Sequence, residues 1–430
     1  MASRRQVAII GAGWAGLAAA VRATEQGHHV TVFEMAKQPG GRARGVTTRA
    51  GGFDNGQHIL IGAYTRTLAL MTAVGADPTR LLRRLPLDLR YPNGRGLCLP
   101  AGSPLIAFVR GVLAANGWTG MQRLHLLLAA GGWAMRGFHC AAGTTVATLC
   151  RGLPEAVQRE LVEPLCVAAL NTPMGQASGR VFLRVLHDAL FSGTGGADLL
   201  LPCRSLSDLL PTPATAWLTS RGALVRTGAR VMSLARHAST GWLVDGQCFD
   251  AVVLACSAQE AARLVAPTAP AWSRQAAELR YQPIITAYLE AKAGYTLPSP
   301  MLALDAAPDA PAQFAFDLGA LGRPAGTFAF VASGASDWVE RGLEASAAAI
   351  LRQARRHFPG GFEGQDERVL LHIATEHRAT FACTPGLERP PGWIAPGLLA
   401  AADYVDGPYP ATLEGAVRSA ESAVAALQHA

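Results

Sequence analysis

The sequence predicts an α/β fold with two domains: a Rossmann-type nucleotide-binding domain, and a discontinuous domain of mixed sheet and helices that binds the substrate. Three observations support this. The 430 residues are 50% hydrophobic, which is enough for more than one core. A short apolar run near the N-terminus ends in a glycine-rich turn followed by an alanine-rich helical stretch. Further strand-like runs alternate with helical segments up to a final helix.

The first elements form a predicted βαβ unit. Residues 7–10 are continuously apolar and run into glycine, which is typical of a buried parallel strand. Residues 17–26 predict a helix that ends at Gly27, and residues 29–34 predict a second strand.

A G-x-G-x-x-G motif, GAGWAG at residues 11–16, joins the first strand to the helix. Gly11 permits the tight turn, Gly13 lets the backbone approach a pyrophosphate, and Gly16 lets helix and strand pack closely. The helix N-terminus offers free N–H groups to phosphates. The predicted cofactor contacts here are Gly11, Gly13, Trp14, Ala15 and Gly16.

Two further features extend this predicted site. Glu34 ends the second strand, where a carboxylate accepts hydrogen bonds from ribose hydroxyls and disfavours the 2′-phosphate of NADP. The segment PGGRAR at residues 39–44 supplies Gly41 and Arg42, which we expect to wrap a diphosphate from the other side. A plain NAD site rarely needs this second loop.

The residues expected near a flavin ring lie in two distant segments. Residues 53–58 include Gly56, Gln57 and His58, whose backbone-rich loop can lie against the isoalloxazine. At the C-terminus, a predicted strand at 398–402 leads to Asp403, expected to bind a ribityl hydroxyl, and then to a helix over 411–429. The N-terminus of that helix, with Thr412 and Leu413, favours the negative charge of reduced flavin. These features together predict FAD.

The remaining pattern sets the domain boundaries. Residues 87–99 predict a hairpin, 104–190 a helical region, and 199–213 a loop with one short turn. Strands are predicted within 225–256 and at 284–290 and 327–332, with a helix at 345–357. We predict an FAD-binding domain from residues 1–85, 205–280 and 370–430, and a substrate domain with a helical cap from 86–204 and 281–369.

Composition excludes several classes of function. The net charge is +7, but no dense basic run appears, so nucleic acid is not a predicted partner. The eight cysteines form no CxxC pair, so we predict no metal site and a reduced, cytoplasmic setting. The longest apolar run, 124–135, lies between Arg123 and Arg136 and is too short to span a bilayer, which needs ~18–20 residues.

The sequence also resembles a known group of proteins. GAGWAGLAAA (11–20), PGGRAR (39–44) and TLEGAVRSAESA (412–423) resemble the flavin amine oxidase and phytoene desaturase superfamily. A narrower resemblance is to the squalene-associated FAD-dependent desaturases, understood as hydroxysqualene dehydroxylases. The segments that carry it are FDNGQHILIGAY (53–64), LVEPLCVAALNTP (161–173), LPCRSLSDLL (201–210) and YPATLEGAVRSAESA (409–423).

The superfamily resemblance adds residue roles. It implies that the backbone of Val231 meets the adenine. The usual Gly-Asp before the final loop is Ala402-Asp403 in this chain, which departs from the family pattern at the turn. No cysteine matches a position of covalent flavin attachment, so we expect the FAD to be held non-covalently.

The narrower resemblance implies reduction of hydroxysqualene to squalene in squalene and hopanoid biosynthesis. Loss of the allylic hydroxyl and transfer of hydride from reduced FAD require an acid, an apolar slot and exclusion of water. His58 and Tyr409 are the candidate catalytic acids, with Glu163 and Asp188 as alternatives, and the helical region 104–190 is the candidate slot.

The same resemblance implies partners and a location. The small-molecule partner is an isoprenoid, hydroxysqualene, and other squalene-synthesis enzymes are further partners. Because this substrate is apolar, we expect peripheral association with the inner face of the cytoplasmic membrane through residues 104–140. Arg110, Arg123 and Arg136 recur there and either contact lipid phosphates or are simply solvated.

Three other functions remain as alternatives from the sequence. The first has the same fold but catalyses the reaction in the opposite direction, as in a carotenoid-type desaturase or an amine oxidase. An amine oxidase would need aromatic side chains flanking the flavin, and Tyr404 and Tyr409 are the evident candidates. The second is a non-catalytic FAD-containing partner of a terpenoid-synthesis complex. The third, an NAD dehydrogenase, is disfavoured by the second glycine loop and the C-terminal motif.

Overall fold

The computed structural model describes residues 4–237, 241–362 and 369–427. Its strands up to residue 100 are β1 (Gln6–Ile10), β2 (His29–Glu34), β3 (Gly45–Thr48), β4 (Gly51–Asp54), β5 (Leu60–Ile61), β6 (Leu82–Leu85), β7 (Asp88–Arg90) and β8 (Gly96–Cys98). The later strands are β9 (Leu199–Pro202), β10 (Leu224–Thr227), β11 (Leu234–Arg236), β12 (Trp242–Val244), β13 (Gln247–Phe249), β14 (Ala251–Leu254), β15 (Tyr281–Glu290), β16 (Met301–Ala303), β17 (Phe314–Asp317), β18 (Thr327–Ala332), β19 (Leu370–Phe381), β20 (Trp393–Ala395) and β21 (Leu398–Ala400).

The helices fall into groups along the chain. Those before residue 192 are α1 (Trp14–Glu25), α2 (Thr65–Ala73), α3 (Pro78–Leu81), α4 (Pro104–Ala114), α5 (Gly120–Met135), α6 (Val146–Leu149), α7 (Glu155–Val157), α8 (Glu163–Leu170) and α9 (Gly179–Phe191), with a π-helical turn at Gln158–Val162. The others are α10 (Leu206–Leu209), α11 (Pro211–Ser220), α12 (Ala258–Val265), α13 (Pro270–Ala277), α14 (Ser336–Arg341), α15 (Leu343–His357), α16 (Pro359–Phe362) and α17 (Leu413–Ala426).

A six-stranded sheet forms the nucleotide-binding half, in the order β10-β2-β1-β14-β21-β20. Every pair is parallel except β20 with β21, which makes the sheet mixed. Both faces are covered, since α1 packs against α11 and α17 and all of β1 except Gln6 is buried. The predicted α/β, Rossmann-type fold is confirmed. The carboxyl ends of β1, β2, β14 and β21 meet at one edge, where such sheets bind nucleotides.

A second sheet has five strands in the order β16-β17-β18-β15-β19, and each of its pairs is antiparallel. One face packs on α15 around a core that includes Phe328, Phe330 and Phe362. Strand β19 lies within 370–430, which the sequence analysis placed in the nucleotide domain, yet it pairs along its length with β15. The division into domains stays a proposal. Because β19 pairs with β15, we assign β19 in this proposal to the substrate domain.

The region 104–190 is helical, as predicted, and α4, α5 and α9 pack together. The prediction of a loop over 199–213 is wrong. Residues 199–202 form β9, which pairs with β5 and β6, and α10 and α11 follow it. The apolar run LLLP finds strand partners more than a hundred residues away, and local turn chemistry does not reveal such partners.

The helix lengths bear on membrane topology. In the ranges 4–237, 241–362 and 369–427, no helix is long and apolar enough to cross a bilayer. The apolar run 124–135 lies inside α5, a helix of 16 residues. The final helix begins at Leu413 and not at 411, and its predicted end at 429 lies outside the described residues.

Candidate active site

One cavity of about 740 Å³ joins the two halves of the molecule. Its lining includes the glycine loop after β1, the end of β2, and the start of α17. The same cavity continues between the apolar side chains of the helical region and those of the antiparallel sheet. A polar, backbone-rich end and an apolar end therefore share one continuous space.

The glycine loop has the geometry that its motif predicts. Gly11 has φ +107°, and a Cβ there would lie 2.5 Å from the carbonyl oxygen of Ala255. A Cβ on Gly16 would lie 1.8 Å from the oxygen of Gly11, so any side chain is excluded. Gly13 is different, because the nearest neighbour of a Cβ added there would be the Cα of Gly41, at 3.9 Å. The loops that contain Gly13 and Gly41 are in backbone contact and together form a glycine cradle on the cavity wall, which suits a diphosphate.

Glu34 lies at the end of β2 and lines the cavity. Its Oε2 accepts a hydrogen bond from the backbone N–H of Ala12 at 2.7 Å, and its Oε1 accepts one from that of Ala36 at 2.8 Å. The carboxylate therefore fixes the glycine loop relative to β2. A contact with ribose hydroxyls remains a prediction.

Arg42 connects three segments of the chain. Its guanidinium donates to Asp403 Oδ1 at 2.6 Å and to the carbonyl oxygen of Ala379 at 2.7 Å. Trp14 and Ala15, at the start of α1, line the cavity beside it. The Arg42–Asp403 ion pair was not evident from the sequence, since its members are 361 residues apart. The predicted roles of Arg42 on a diphosphate and of Asp403 on a ribityl hydroxyl remain predictions.

Three buried polar atoms on the cavity wall have no hydrogen-bond partner within the described part of the chain: Tyr404 Oη, Arg44 Nε and Gln259 Oε1. Burial raises the pKa of Tyr404 well above its ordinary value, so this phenol stays protonated and can donate. Buried polar groups normally have partners. A donor, an acceptor and a guanidinium on the wall of one cavity fit a large polar ligand such as a dinucleotide.

The C-terminal helix begins at the cavity. Thr412 is its N-cap, and the Thr412 side chain accepts a hydrogen bond from the N–H of Gly415 at 2.9 Å. Ala411, with φ +57°, turns the chain into the helix. Thr412 and Leu413 line the cavity. The positive end of the helix dipole therefore lies at the cavity.

The 53–58 loop lines the same cavity with Gly56, Gln57 and His58. His58 Nδ1 lies 3.2 Å from the carbonyl oxygen of Gly56. Burial lowers the pKa of His58 from its ordinary value, so the imidazole is neutral at pH 7. Gln57 Nε2 donates to the hydroxyl of Tyr288 at 3.2 Å, which holds the loop against β15.

Two residues on the nucleotide side complete this end of the cavity. Val231 is buried and lines it, and its carbonyl oxygen accepts a hydrogen bond from Arg263 at 2.7 Å. Cys256, just after β14, also lines it. Burial raises the pKa of Cys256 to about 12, so the sulfur remains a thiol and a poor nucleophile at neutral pH.

Two guanidinium groups lie next to the ring of Tyr409. The Cζ atoms of Arg184 and Arg418 are 5.2 Å and 4.8 Å from its ring centroid. Asp188 accepts from Arg184 Nε at 2.8 Å and contacts His187 Nδ1 at 3.0 Å. Arg184, Asp188 and Tyr409 all line the cavity.

Sequence reasoning named Tyr409 and Asp188 but missed Arg184. The i, i+4 spacing of Arg184 and Asp188 on a predicted helix was the available signal. Glu163, the fourth candidate acid, is not among the described residues that line the cavity; it accepts from the N–H of Met174 at 3.4 Å. No cluster of His, Cys, Asp and Glu able to hold a metal occurs in the described ranges.

The far end of the cavity is lined mainly by carbon. Its walls are side chains from the β7–β8 hairpin, α4, α5, α9 and the antiparallel sheet. The larger apolar residues there are Leu89, Leu97, Phe108, Leu126, Trp133, Phe138, Leu161, Phe182, Met301, Phe314 and Phe316. This end suits a long hydrocarbon.

Comparison with known proteins identifies the family. The model of the family described as flavin containing amine oxidoreductase matches residues 14–428. A hydroxysqualene dehydroxylase of Sinorhizobium fredii is 28% identical over 453 residues, covering 97% of each chain. One of Rhodopseudomonas palustris is 28% identical over 439 residues, again covering 97% of each.

A solved structure of similar fold is an oxidoreductase from Methanosarcina mazei, with a TM-score of 0.74 and 17% identity over 97% of this chain and 99% of that one. At this identity the likeness concerns the fold alone. The predicted cofactor is confirmed: this is a flavin oxidoreductase that uses FAD. With its glycine cradle, C-terminal helix and nearly full-length family match, the chain belongs to the flavin containing amine oxidoreductases.

Proposed function

We propose that this protein reduces hydroxysqualene to squalene and water in squalene and hopanoid biosynthesis. The observation that carries the proposal is the continuity of one cavity between the glycine cradle and a chamber walled by apolar side chains. A C30 isoprenoid needs such a chamber. The relatives named hydroxysqualene dehydroxylase, similar over nearly the whole chain, support the choice of substrate.

In this proposal the polar end holds FAD without a covalent bond. The glycine cradle at Gly13 and Gly41 would hold the diphosphate, Glu34 the ribose, and Val231 the adenine. Reduced FAD, when bound, would supply the hydride. Thr412 caps the helix whose dipole favours the negative charge of the reduced cofactor.

The chain itself supplies an enclosure and a proton. Ionisation of an allylic alcohol gives a cation spread over the neighbouring alkene, and water would capture it. The apolar walls contributed by α5 and α9 exclude that water. They also strengthen electrostatic interactions in the chamber, because the local dielectric is low.

Between the two candidate acids, we favour Tyr409 as the proton donor, because it lines the cavity and its hydroxyl carries a proton at neutral pH. Burial raises the pKa of Tyr409 and so weakens it as an acid, but the hydrogen bond with Arg184 lowers that pKa and acts in the opposite direction. His58 is neutral because burial lowers its pKa, so it has no extra proton to give at pH 7. We therefore propose that Tyr409 protonates the leaving hydroxyl and that His58 orients the substrate or flavin.

The amine oxidase alternative fits the cavity less well. It requires aromatic side chains on both sides of the amine, with Tyr404 and Tyr409 as the candidates. Tyr404 is buried, and Tyr409 has the guanidinium groups of Arg184 and Arg418 next to its ring. Arg184 lines the cavity, and its positive charge there disfavours a protonated amine as substrate.

The substrate also suggests where the protein works. Hydroxysqualene is too apolar to travel free in water, so we propose peripheral association with the inner face of the cytoplasmic membrane. Transfer from other squalene-synthesis enzymes at that membrane would deliver the substrate without crossing water.

The decisive experiment uses pre-reduced holoenzyme without oxygen. Added hydroxysqualene should restore the absorbance of oxidised flavin and yield squalene by mass spectrometry. Bleaching of the oxidised enzyme by squalene would instead establish the desaturase direction. Absence of any change in flavin with either isoprenoid would refute the proposed reaction and leave the amine oxidase and the non-catalytic partner as the alternatives.

The mode of FAD binding is checked on the same preparation. Acid precipitation should release free FAD into the supernatant, because no cysteine of the chain matches a position of covalent flavin attachment. Flavin that stays with the precipitate would show a covalent link.

A further inference from the structure

The helices α4 and α5 expose far more hydrocarbon than a water-soluble surface needs. On α4, Leu105, Ile106, Val109 and Leu113 are 48%, 60%, 37% and 55% exposed. At 100° per residue they occupy an arc of about 100° on one side of the helix. Isolated surface leucines are ordinary, but a stripe along a whole helix marks an interaction surface.

The pattern repeats on α5. Met121, Leu124, Leu128 and Met135 are 62%, 48%, 64% and 87% exposed, and they fall within an arc of about 60°. Leu126, on the opposite side of the helix, lines the cavity. The same helix therefore has one apolar face toward the substrate chamber and a second toward the outside.

The charged residues near these two helices indicate what the exposed apolar surface binds. Residues 89–154 contain no Asp or Glu, but they include six arginines, at 90, 95, 110, 123, 136 and 151. Arg110 and Arg136 are exposed on α4 and at the end of α5, next to the apolar stripes. Arg123 has a different role, since it donates to the carbonyl oxygens of Leu113 and Ala115 at 2.8 Å and caps α4.

We infer that these two stripes, with Arg110 and Arg136 at their edges, form a surface that inserts into a bilayer containing anionic phospholipids. An amphipathic helix with arginines bordering its apolar face lies about 5–10 Å deep at the headgroup boundary. A surface for another protein would not require a stretch of 66 residues without a carboxylate. Anionic headgroups do favour that composition.

An aromatic cluster connects this surface with the cavity. Phe138 follows α5 with φ +56° and lines the cavity. Its ring is 5.5 Å from that of Phe191, which is 49% exposed, and 5.5 Å from that of His187. We assign the substrate entrance to this cluster, a step that rests on the proposed function. The bilayer surface itself does not depend on it.

The test is flotation of the FAD-bound protein with vesicles of phosphatidylglycerol and phosphatidylcholine in equal parts. The double variant Ile106→Glu/Leu128→Glu should bind at least about tenfold more weakly for each substituted side chain. The matched control, Leu224→Glu/Leu343→Glu, changes side chains that are 53% and 45% exposed elsewhere, and it should float like the parent protein. Equal flotation of both double variants would overturn the inference.

Two further measurements separate the contributions. Arg110→Gln and Arg136→Gln should each weaken binding to these vesicles by about fivefold and leave binding to pure phosphatidylcholine unchanged. Sedimentation without lipid tests whether this surface instead binds a second copy of the chain. A dimer that Ile106→Glu/Leu128→Glu converts to a monomer, with no vesicle binding by the parent, would assign the surface to self-association and overturn the inference.

The proposed function is tested independently with detergent-dispersed hydroxysqualene. In this form the double variant should reoxidise reduced flavin as fast as the parent, because its substitutions are outside the cavity. If the parent fails here but still floats, the proposed reaction is wrong and the bilayer surface stands. If the parent reacts but does not float, the inferred bilayer surface is wrong and the proposed reaction stands.

Discussion

The two ends of the cavity are built by different means. At the cradle, backbone atoms determine the shape, and Gly11 and Gly16 have no room for a single Cβ. At the apolar end, side chains such as Leu126 and Phe182 form the wall, and other hydrocarbons of similar volume would fill the same space. The cradle therefore tolerates almost no change, and the helical region tolerates many small ones.

This difference shows which end of the cavity can be recognised from the sequence. A cofactor shared by a large family needs a fixed backbone, so its motif can be recognised from a few residues. A substrate chamber needs a volume and an apolar surface, which many sequences provide. Mutations should follow the same order, with the largest effects at the cradle and graded effects in the chamber.

The largest effect is expected for Gly16→Val. The Cβ would meet the oxygen of Gly11 at 1.8 Å, so α1 must move away from β1 and the sheet core is disrupted. We expect no soluble FAD-bound protein, measured by flavin absorbance and circular dichroism. Gly152→Ala is the control, because no atom lies within 4 Å of its added Cβ.

The variant Gly13→Ala tests whether the glycine cradle binds the cofactor without being needed for folding. Its Cβ has 3.9 Å of space toward Gly41, so the chain should fold but lose FAD as the cradle fills. A folded variant that keeps its flavin would show that the diphosphate lies elsewhere.

Glu34→Ala should weaken FAD binding by ~1.5–3 kcal/mol, the cost typical of a hydrogen bond to a charged group. This is roughly a 10- to 150-fold increase in Kd, measured by titrating the apoprotein with FAD. Part of the loss comes from the glycine loop, because Glu34 also accepts from Ala12. Glu34→Gln retains one oxygen acceptor and should have an intermediate effect. An unchanged Kd in both variants would mean that Glu34 bonds only within the chain.

In the chamber, Leu126→Ala should act on the substrate and not on the cofactor. Leu126 is 2% exposed and lines the cavity, so truncation enlarges the chamber, and we expect a roughly tenfold higher KM for hydroxysqualene with flavin content unchanged. Leu218→Ala, in the nucleotide-side core, should lower stability by ~2–5 kcal/mol without changing KM. If both variants raise KM equally, the effect is general loosening and the chamber is not at Leu126.

The smallest effect concerns pH. Burial lowers the pKa of His58, so in the unfolded chain, where the pKa is about 6.5, the imidazole takes up a proton more readily than in the folded protein. His58 therefore makes its full contribution to the stability of the folded protein when the pH is above the pKa of His58 in the unfolded chain. This contribution is lost as the pH falls from that value through the lower pKa of His58 in the folded protein. His58→Gln should flatten that decline in thermal unfolding curves with saturating FAD. His125→Gln, at an exposed histidine, should leave the curve as in the parent.

The FAD-binding fold follows from the sequence because its determinants are local. The order strand, G-x-G-x-x-G, helix, strand, Glu34 lies within about thirty residues, as the βαβ unit requires. The strand at 398–402 and the following helix were also evident, since an apolar run and a capping threonine are short-range signals. The family resemblance supplied two expectations that these patterns lack, namely the proposed substrate class and the proposed role of Val231.

Contacts between distant segments appeared only in the tertiary structure. The Arg42–Asp403 pair joins residues 361 apart, and β9 pairs with strands more than a hundred residues away. No local pattern showed that Glu163 lies off the cavity while Arg184 and Asp188 lie on it. The sequence by itself determined the fold class and the cofactor, because backbone geometry encodes them in short motifs. Packing decided which polar groups face the chamber and which apolar helix faces remain exposed, because burial is a property of the whole fold.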